Sequence, residues 1–301
     1  ALKLCAEVKD VALPATDRPT AEETKVLAGC VSQELYFGFD KTPDPVAARK
    51  CAFLEMDRGN NEPFAGKTIL MMVYANGKGV VRNLDLALKL GCEVPGGPGD
   101  VAGRVHQLAR FKQANWSGNN FSVCDHSGDQ HMYRECAILD YRFDHLERER
   151  TLDAMAAKFT APQKKMFETL RRETAAYFKV EAAKGINLTG THEIQENGFL
   201  ERGFISSLEQ LAGGDLPKFS AKEAAEAETA MNSDYDKARA IKRNIASNLT
   251  PEGLKETQQA WMRYREAWLK FGKARYPSVS EVSWKAWTAQ QREELLQRAL
   301  Y

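Results

Sequence analysis

Residues able to bind or react gather most densely in SVCDHSGDQHMYREC, positions 122–136. Asp125, His126, Asp129 and His131 supply carboxylates and imidazoles, the side chains that ligate divalent metals. The two histidines stand five apart, which suits neither one helical face nor a standard ligand pair. A solvated loop, with Asp129 capping the helix that follows, is the expected use of these residues, and no metal is expected. Gly66-Lys67-Thr68 ends like a phosphate-binding loop. Position 61 is Asn where that motif needs Gly, however, and the segment falls inside a predicted helix rather than after a strand. Neither a Gly-x-Ser-x-Gly elbow nor a His-Glu-x-x-His zinc motif occurs. Carboxylates such as Glu147, Glu149 and Glu173 lie on arginine-rich helices, where solvated ion pairs are the ordinary outcome. No catalytic residue and no cofactor is assigned, and the chain is not read as an enzyme. Sequons at Asn115, Asn120, Asn187 and Asn248 would matter only in a eukaryotic secretory pathway.

The cysteines offer a different chemistry. Cys5, Cys30, Cys51, Cys92, Cys124 and Cys136 form an even set, which favours disulfides in an exported protein over buried free thiols in a cytosolic one. Six cysteines allow fifteen connectivities. The simplest is sequential: Cys5 with Cys30, Cys51 with Cys92, and Cys124 with Cys136. Export in turn presumes that a leader was removed ahead of Ala1, where no basic-then-apolar segment is visible.

Helices must position all of this. The 301 residues suffice for one to three domains, and 43% hydrophobic content can build real cores. A formal net charge of +1 gives no pull toward nucleic acid or an anionic membrane, and no run of about 18 apolar residues marks a membrane span. The first 20 residues read as irregular, with breaks at Pro14 and Pro19. Thr20 with Glu23 forms a capping box, and helices are predicted at about 20–39, 44–58, 63–75, 82–92 and 98–112. EVPGGPGD, 93–100, is a turn cluster, and a polar loop covers 113–128. Helices are then predicted at about 129–158, 161–184, 193–212, 219–247, 251–274 and 279–299, with a loop at 185–191. Met132, Cys136, Leu139, Phe143 and Leu146 make one helix face, and Leu254, Trp261, Tyr264, Trp268 and Phe271 make another that reads as core. DYRFDHLERERT, 140–151, alternates acid and base as an exposed face does.

An internal repeat occupies the first 100 residues. Leu70, Tyr74, Gly77, Gly79, Val80 and Ala87 set its clearer copy, and Leu35, Tyr36, Gly38, Asp44, Ala47, Ala52 and Gly59 a degenerate one. Alanines let two helices approach closely and glycines turn the chain between them. YANGKGVVRNLDLAL resembles the short tetratricopeptide-like repeats of the Sel-one type, over about 22–95. That resemblance implies a protein-interaction scaffold without catalysis.

FSVCDHSGDQHMYRECAILDYRFDHLERE and QQAWMRYREAWLKF (258–271) resemble the LprI-type lysozyme-inhibitor domain, a helical module of exported bacterial proteins. Members of that family often carry further cysteines near the second place. Here none follows Cys136, and Trp268 and Trp284 hold apolar positions instead. The stretches beginning TAPQKKMFETL and TPEGLKETQQA run parallel, so a single module and a tandem duplication (about 121–213 and 218–301) both stay open.

The expected fold is all-α: N-terminal stacked helical hairpins of short repeats, residues 1–112, then an antiparallel helical bundle of long helices, 113–301. The resemblances imply a periplasmic binding protein that neutralises a lysozyme-like wall-degrading enzyme or a secreted toxin. Its partner is a protein, not nucleic acid. Asp125, His126, Ser127 and Arg134, on the cysteine-pinned loop 117–135, would enter a cleft lined by carboxylates. A non-inhibitory envelope scaffold is the alternative, followed by an enzyme of unrecognised type.

Overall fold

A computed structural model describes residues 1–39, 41–186, 191–240 and 249–300. The fold is all-α. Among the described residues there are thirteen α-helices and no strand. They are α1 (Leu2–Val8), α2 (Ala21–Val26), α3 (Ser32–Phe37), α4 (Pro45–Asp57), α5 (Lys67–Asn76), α6 (Leu84–Glu93), α7 (Pro98–Gln113), α8 (Gln130–Ala156), α9 (Ala161–Lys184), α10 (Thr191–Ala212), α11 (Ala221–Ala240), α12 (Pro251–Arg275) and α13 (Glu281–Leu300). Asn187, Asn248 and the end of the helix predicted to reach 247 lie outside the described residues. No described helix is long and apolar enough to cross a membrane.

Two local expectations need correction. The first 20 residues are not wholly irregular: Leu2–Val8, which precede the first proline, form α1 and pack on α6. The helix predicted over 20–39 is two helices, because Gly29 at φ 71° turns the chain between α2 and α3. The Thr20–Glu23 capping box is present at the start of α2.

The chain divides into two compact units, Ala1–Arg142 and Phe143–Tyr301. The boundary lies inside α8, thirty residues beyond position 112. The reason is that loop 114–129 hydrogen-bonds back to α5 and α7, the Cys124–Cys136 bridge ties it to α8, and Arg142 of α8 pairs with Glu34 of α3.

In the first unit, α3, α4, α5, α6 and α7 each pack on the next. The centre is α5, buried from Thr68 to Asn76, as expected of a helix that is apolar on nearly every side. Ala48, Ala52 and Ala87 are fully buried where helices approach closely. Gly79 has a φ of 72°, and a Cβ there would fall 2.5 Å from the Pro45 carbonyl carbon, so the turn after α5 touches the start of α4 only as glycine.

In the second unit, α9 packs on α12 and α10, and α13 on α11 and α12. The α12 stripe is its core: Trp261, Tyr264, Trp268 and Phe271 are at most 5% exposed, joined by Trp284 of α13. Full burial of a large apolar side chain is worth about 1.5–3 kcal/mol. Thr250 caps α12, its Oγ1 accepting the Gly253 amide at 3.0 Å, with Pro251 in the first turn.

All six cysteines are bonded, but only one pair is the sequential one. Cys124 bonds Cys136, whereas Cys5 bonds Cys92 and Cys30 bonds Cys51. A bridge needs Cα atoms closer than about 7 Å. Packing of α1 on α6 brings Cys5 to 5.8 Å from Cys92, and the α2–α3 turn lies beside α4, with Cys30 6.0 Å from Cys51.

Candidate functional site

The loop from Ala114 to Asp129 is tied down along its length. At its start, Arg82 Nη1 donates to the Trp116 carbonyl at 2.7 Å, and the Trp116 ring stacks on Phe111 at 4.0 Å. Asn76, at the end of α5 and 3% exposed, then grips the main chain of Phe121 from both sides. Its Nδ2 donates to the Phe121 carbonyl at 2.9 Å, and its Oδ1 accepts the Phe121 amide at 2.8 Å.

Further along, a short 3-10 turn, Val123–His126, is closed by a capping box between Ser122 and Asp125. It rests on α7 through Gln107. The His126 Nε2 donates to Gln107 Oε1 at 2.9 Å, and Gln107 Nε2 donates to Asp125 Oδ2 at 3.2 Å. Gly103 admits the imidazole: a Cβ there would lie 2.5 Å from His126 Nδ1.

The last tie is Asp100, one turn before Arg104 on α7 and only 7% exposed. Its two carboxylate oxygens accept the Gly128 amide at 2.7 Å and the Asp129 amide at 3.0 Å. Burial alone would raise the Asp100 carboxyl, but the Asp129 and Gly128 amides more than offset this and hold it below its ordinary value. Arg104, 1% exposed, donates to the Gly91 carbonyl at 2.8 Å and to the Val94 carbonyl. Neighbouring side chains on one helix thus hold two separate turns, 91–97 and 128–129.

Between those turns opens a cleft of about 300 Å³, bordered by Pro63, Pro95, Gly96, Gly97, Asp129 and His131. Reading the sequence missed Asp100, Arg104 and Asn76. The only local signal was the turn cluster at 93–100, which carries no information on what the turn faces.

The four residues expected to bind a partner do not act alike. Asp125 is exposed but closes the capping box, and His126 is half-buried against α7. Ser127 turns inward, its Oγ donating to the Cys124 carbonyl at 3.1 Å. Arg134 is exposed on the first turns of α8, with His131 and Tyr133. Asp129 caps α8, its Oδ1 accepting the His131 and Met132 amides, both at 3.0 Å. Among the described residues no three His, Cys, Asp or Glu side chains gather as a metal site.

The helix that follows departs from its expected faces. Met132, Cys136 and Leu139 are buried, but Phe143 is 41% exposed. Arg148 is not on a solvated face: it is 8% exposed and its Nε donates to Glu201 of α10 at 2.7 Å. A hydroxyl does meet a carboxylate where Ser32 donates to Glu55, but both side chains are buried and Glu55 also accepts the Ser32 and Gly66 amides at 2.9 Å. That contact clamps α3 to α4 and is closed to a substrate.

Protein-family models, curated proteins and solved structures were compared with the chain, and none matches. The geometry of the pinned loop therefore carries the functional argument.

Proposed function

We propose that the chain is an exported bacterial protein that neutralises a wall-degrading enzyme, lysozyme-like in its action, or a secreted toxin by protein–protein contact. The observation that carries the reading is the loop itself. Cys136, Asn76, Gln107 and Asp100 hold it, while Asp125, His131, Tyr133 and Arg134 face solvent. A segment ordered before binding loses little further entropy on docking, which is what an inhibitor filling a cleft requires. The cationic end at Arg134 suits a target cleft lined by carboxylates. Three disulfides fit an oxidising compartment, and the periplasm is the compartment this reading names. The resemblance of 121–149 and 258–271 to the LprI-type domain, and of 22–95 to Sel-one-type repeats, points the same way. No catalytic step and no cofactor enters the reading.

The test is inhibition of lysozyme-like hydrolases by the chain, by Arg134→Glu with Tyr133→Ala, and by a variant whose residues 125–131 are a Gly/Ser linker. Loss of inhibition in folded variants supports the loop, whereas unchanged inhibition overturns its role. Capture of an assembly component, rather than a hydrolase, from envelope extract would put the scaffold reading in its place.

A further inference from the structure

The second unit contains an aromatic cleft that the loop reading does not use. Its volume is about 190 Å³, and its lining includes Tyr177 and Phe178 of α9, Phe204 of α10, Trp261 and Tyr264 of α12, and Leu295 of α13. Phe199, 50% exposed, continues the apolar surface at the mouth. We propose that this cleft is a binding site for a small uncharged aromatic molecule, one ring to two fused rings in size.

Volume sets the size of the occupant. An apolar protein cavity of about 150 Å³ takes up benzene, so a cleft of about 190 Å³ lined by rings and open to solvent on one side has room for a ligand of that size. Ring-on-ring contacts at centroid distances of about 4.5–7 Å add to the gain from burial.

Charge sets its polarity. Arg292 lies at the base, 0% exposed, and is matched by Glu181 at 2.7 Å, with Tyr177, Thr257 and Gln258 accepting its other hydrogen bonds. Arg298 lies 4.7 Å from the Phe199 ring centroid and pairs with Glu196 through two contacts of 2.8 and 2.7 Å. Both cations are already matched by a carboxylate, so an anionic ligand gains no new partner. Glu294, at the mouth, is exposed, where a carboxylate attracts a cation only weakly.

A glycine keeps the cleft open. Gly203 lies within α10, where glycine is less favourable than alanine. Its φ is not positive, and a Cβ there would meet nothing within 4 Å. Gly272 in the same unit is different: a Cβ there would strike the Trp284 ring at 2.4 Å. Neither backbone conformation nor crowding demands glycine at 203; its absent side chain leaves the mouth clear. Ser207, one turn on, is also small, and its Oγ accepts from Gln291 of α13 at 3.3 Å.

Fluorobenzene titrated against the full chain and followed by fluorine NMR tests this. Saturable binding is expected below about 1 mM, weakened about tenfold or more in both Gly203→Leu and Ser207→Leu, with their thermal midpoints equal to or above that of the parent. If Gly203→Leu does not fold, Ser207→Leu decides. No saturation by the parent, or equal affinity in a folded filled variant, overturns the site. Neither result bears on inhibition through residues 122–136, which the hydrolase assay reads separately.

Discussion

Arg292 of α13 and Glu181 of α9 form an ion pair sealed from water, 2.7 Å from Nη1 to Oε2, with their side chains 0% and 1% exposed. Burial would drive the Arg292 guanidinium down, but Glu181 and Tyr177 outweigh it and hold the group above its ordinary value. Removing one partner leaves the other charge buried and unmatched. Glu181→Leu and Arg292→Met should therefore each cost about 3–5 kcal/mol in denaturant unfolding. The double variant Glu181→Leu, Arg292→Met should cost clearly less than the sum. Additive losses would show that the two charges do not depend on each other.

Acid should release the pinned loop through Asp100. Its folded carboxyl lies below the unfolded value, so its contribution is complete above the ordinary carboxylate range near about 4 and is lost as pH falls through the depressed folded value. Protection of the Gly128 and Asp129 amides from hydrogen exchange, measured relative to the intrinsic rate at each pH, should be lost over that acid range in the parent. In Asp100→Asn that protection should be low at every pH. Equal protection in the two proteins would contradict the latch.

Three glycines separate crowding from helix propensity. Gly203→Ala should stabilise by roughly 0.5–1 kcal/mol, since its Cβ meets open space. Gly103→Ala receives the same propensity gain but drives a Cβ to 2.5 Å from His126 Nδ1. It should be neutral or destabilising, and it should detach the imidazole from Gln107, seen as a changed His126 ring resonance. Gly128→Ala, with its Cβ 2.8 Å from Asp100 Oδ1, should cost about 1–3 kcal/mol.

Loop length should order the disulfides. Cys5–Cys92 spans 87 residues and Cys124–Cys136 spans 12. The chain-entropy relation gives roughly 4–5 and roughly 3 kcal/mol for the two. Paired Cys→Ser variants compared by thermal unfolding check the order. A larger loss at Cys124 and Cys136 would mean that the bridge acts through the native loop rather than through the unfolded chain.

Helix positions were legible because their signals are local. The Thr20–Glu23 box, and the capping threonine at 250 with proline at 251, placed α2 and α12 to within a residue or two at their starts. The Trp261–Phe271 stripe identified the core of the second unit from spacing alone. The break at Gly29 was missed because one glycine is tolerated inside many helices, and α1 because its stability comes largely from its contact with α6. At the loop, Asp129 as a cap was readable one turn away, whereas Asn76 and Asp100 lie 45 and 28 residues from the groups they hold.

What the sequence by itself determined is the all-α class, the starts of α2 and α12, and the aromatic stripe. Each follows from the 3.6-residue period or from a cap within four residues. Only the tertiary structure decided which cysteines pair, that Arg148 and Arg292 are buried, and that the first unit runs to Arg142. Those outcomes depend on distances between residues far apart in the chain, which are set by how helices pack rather than by any short run of residues.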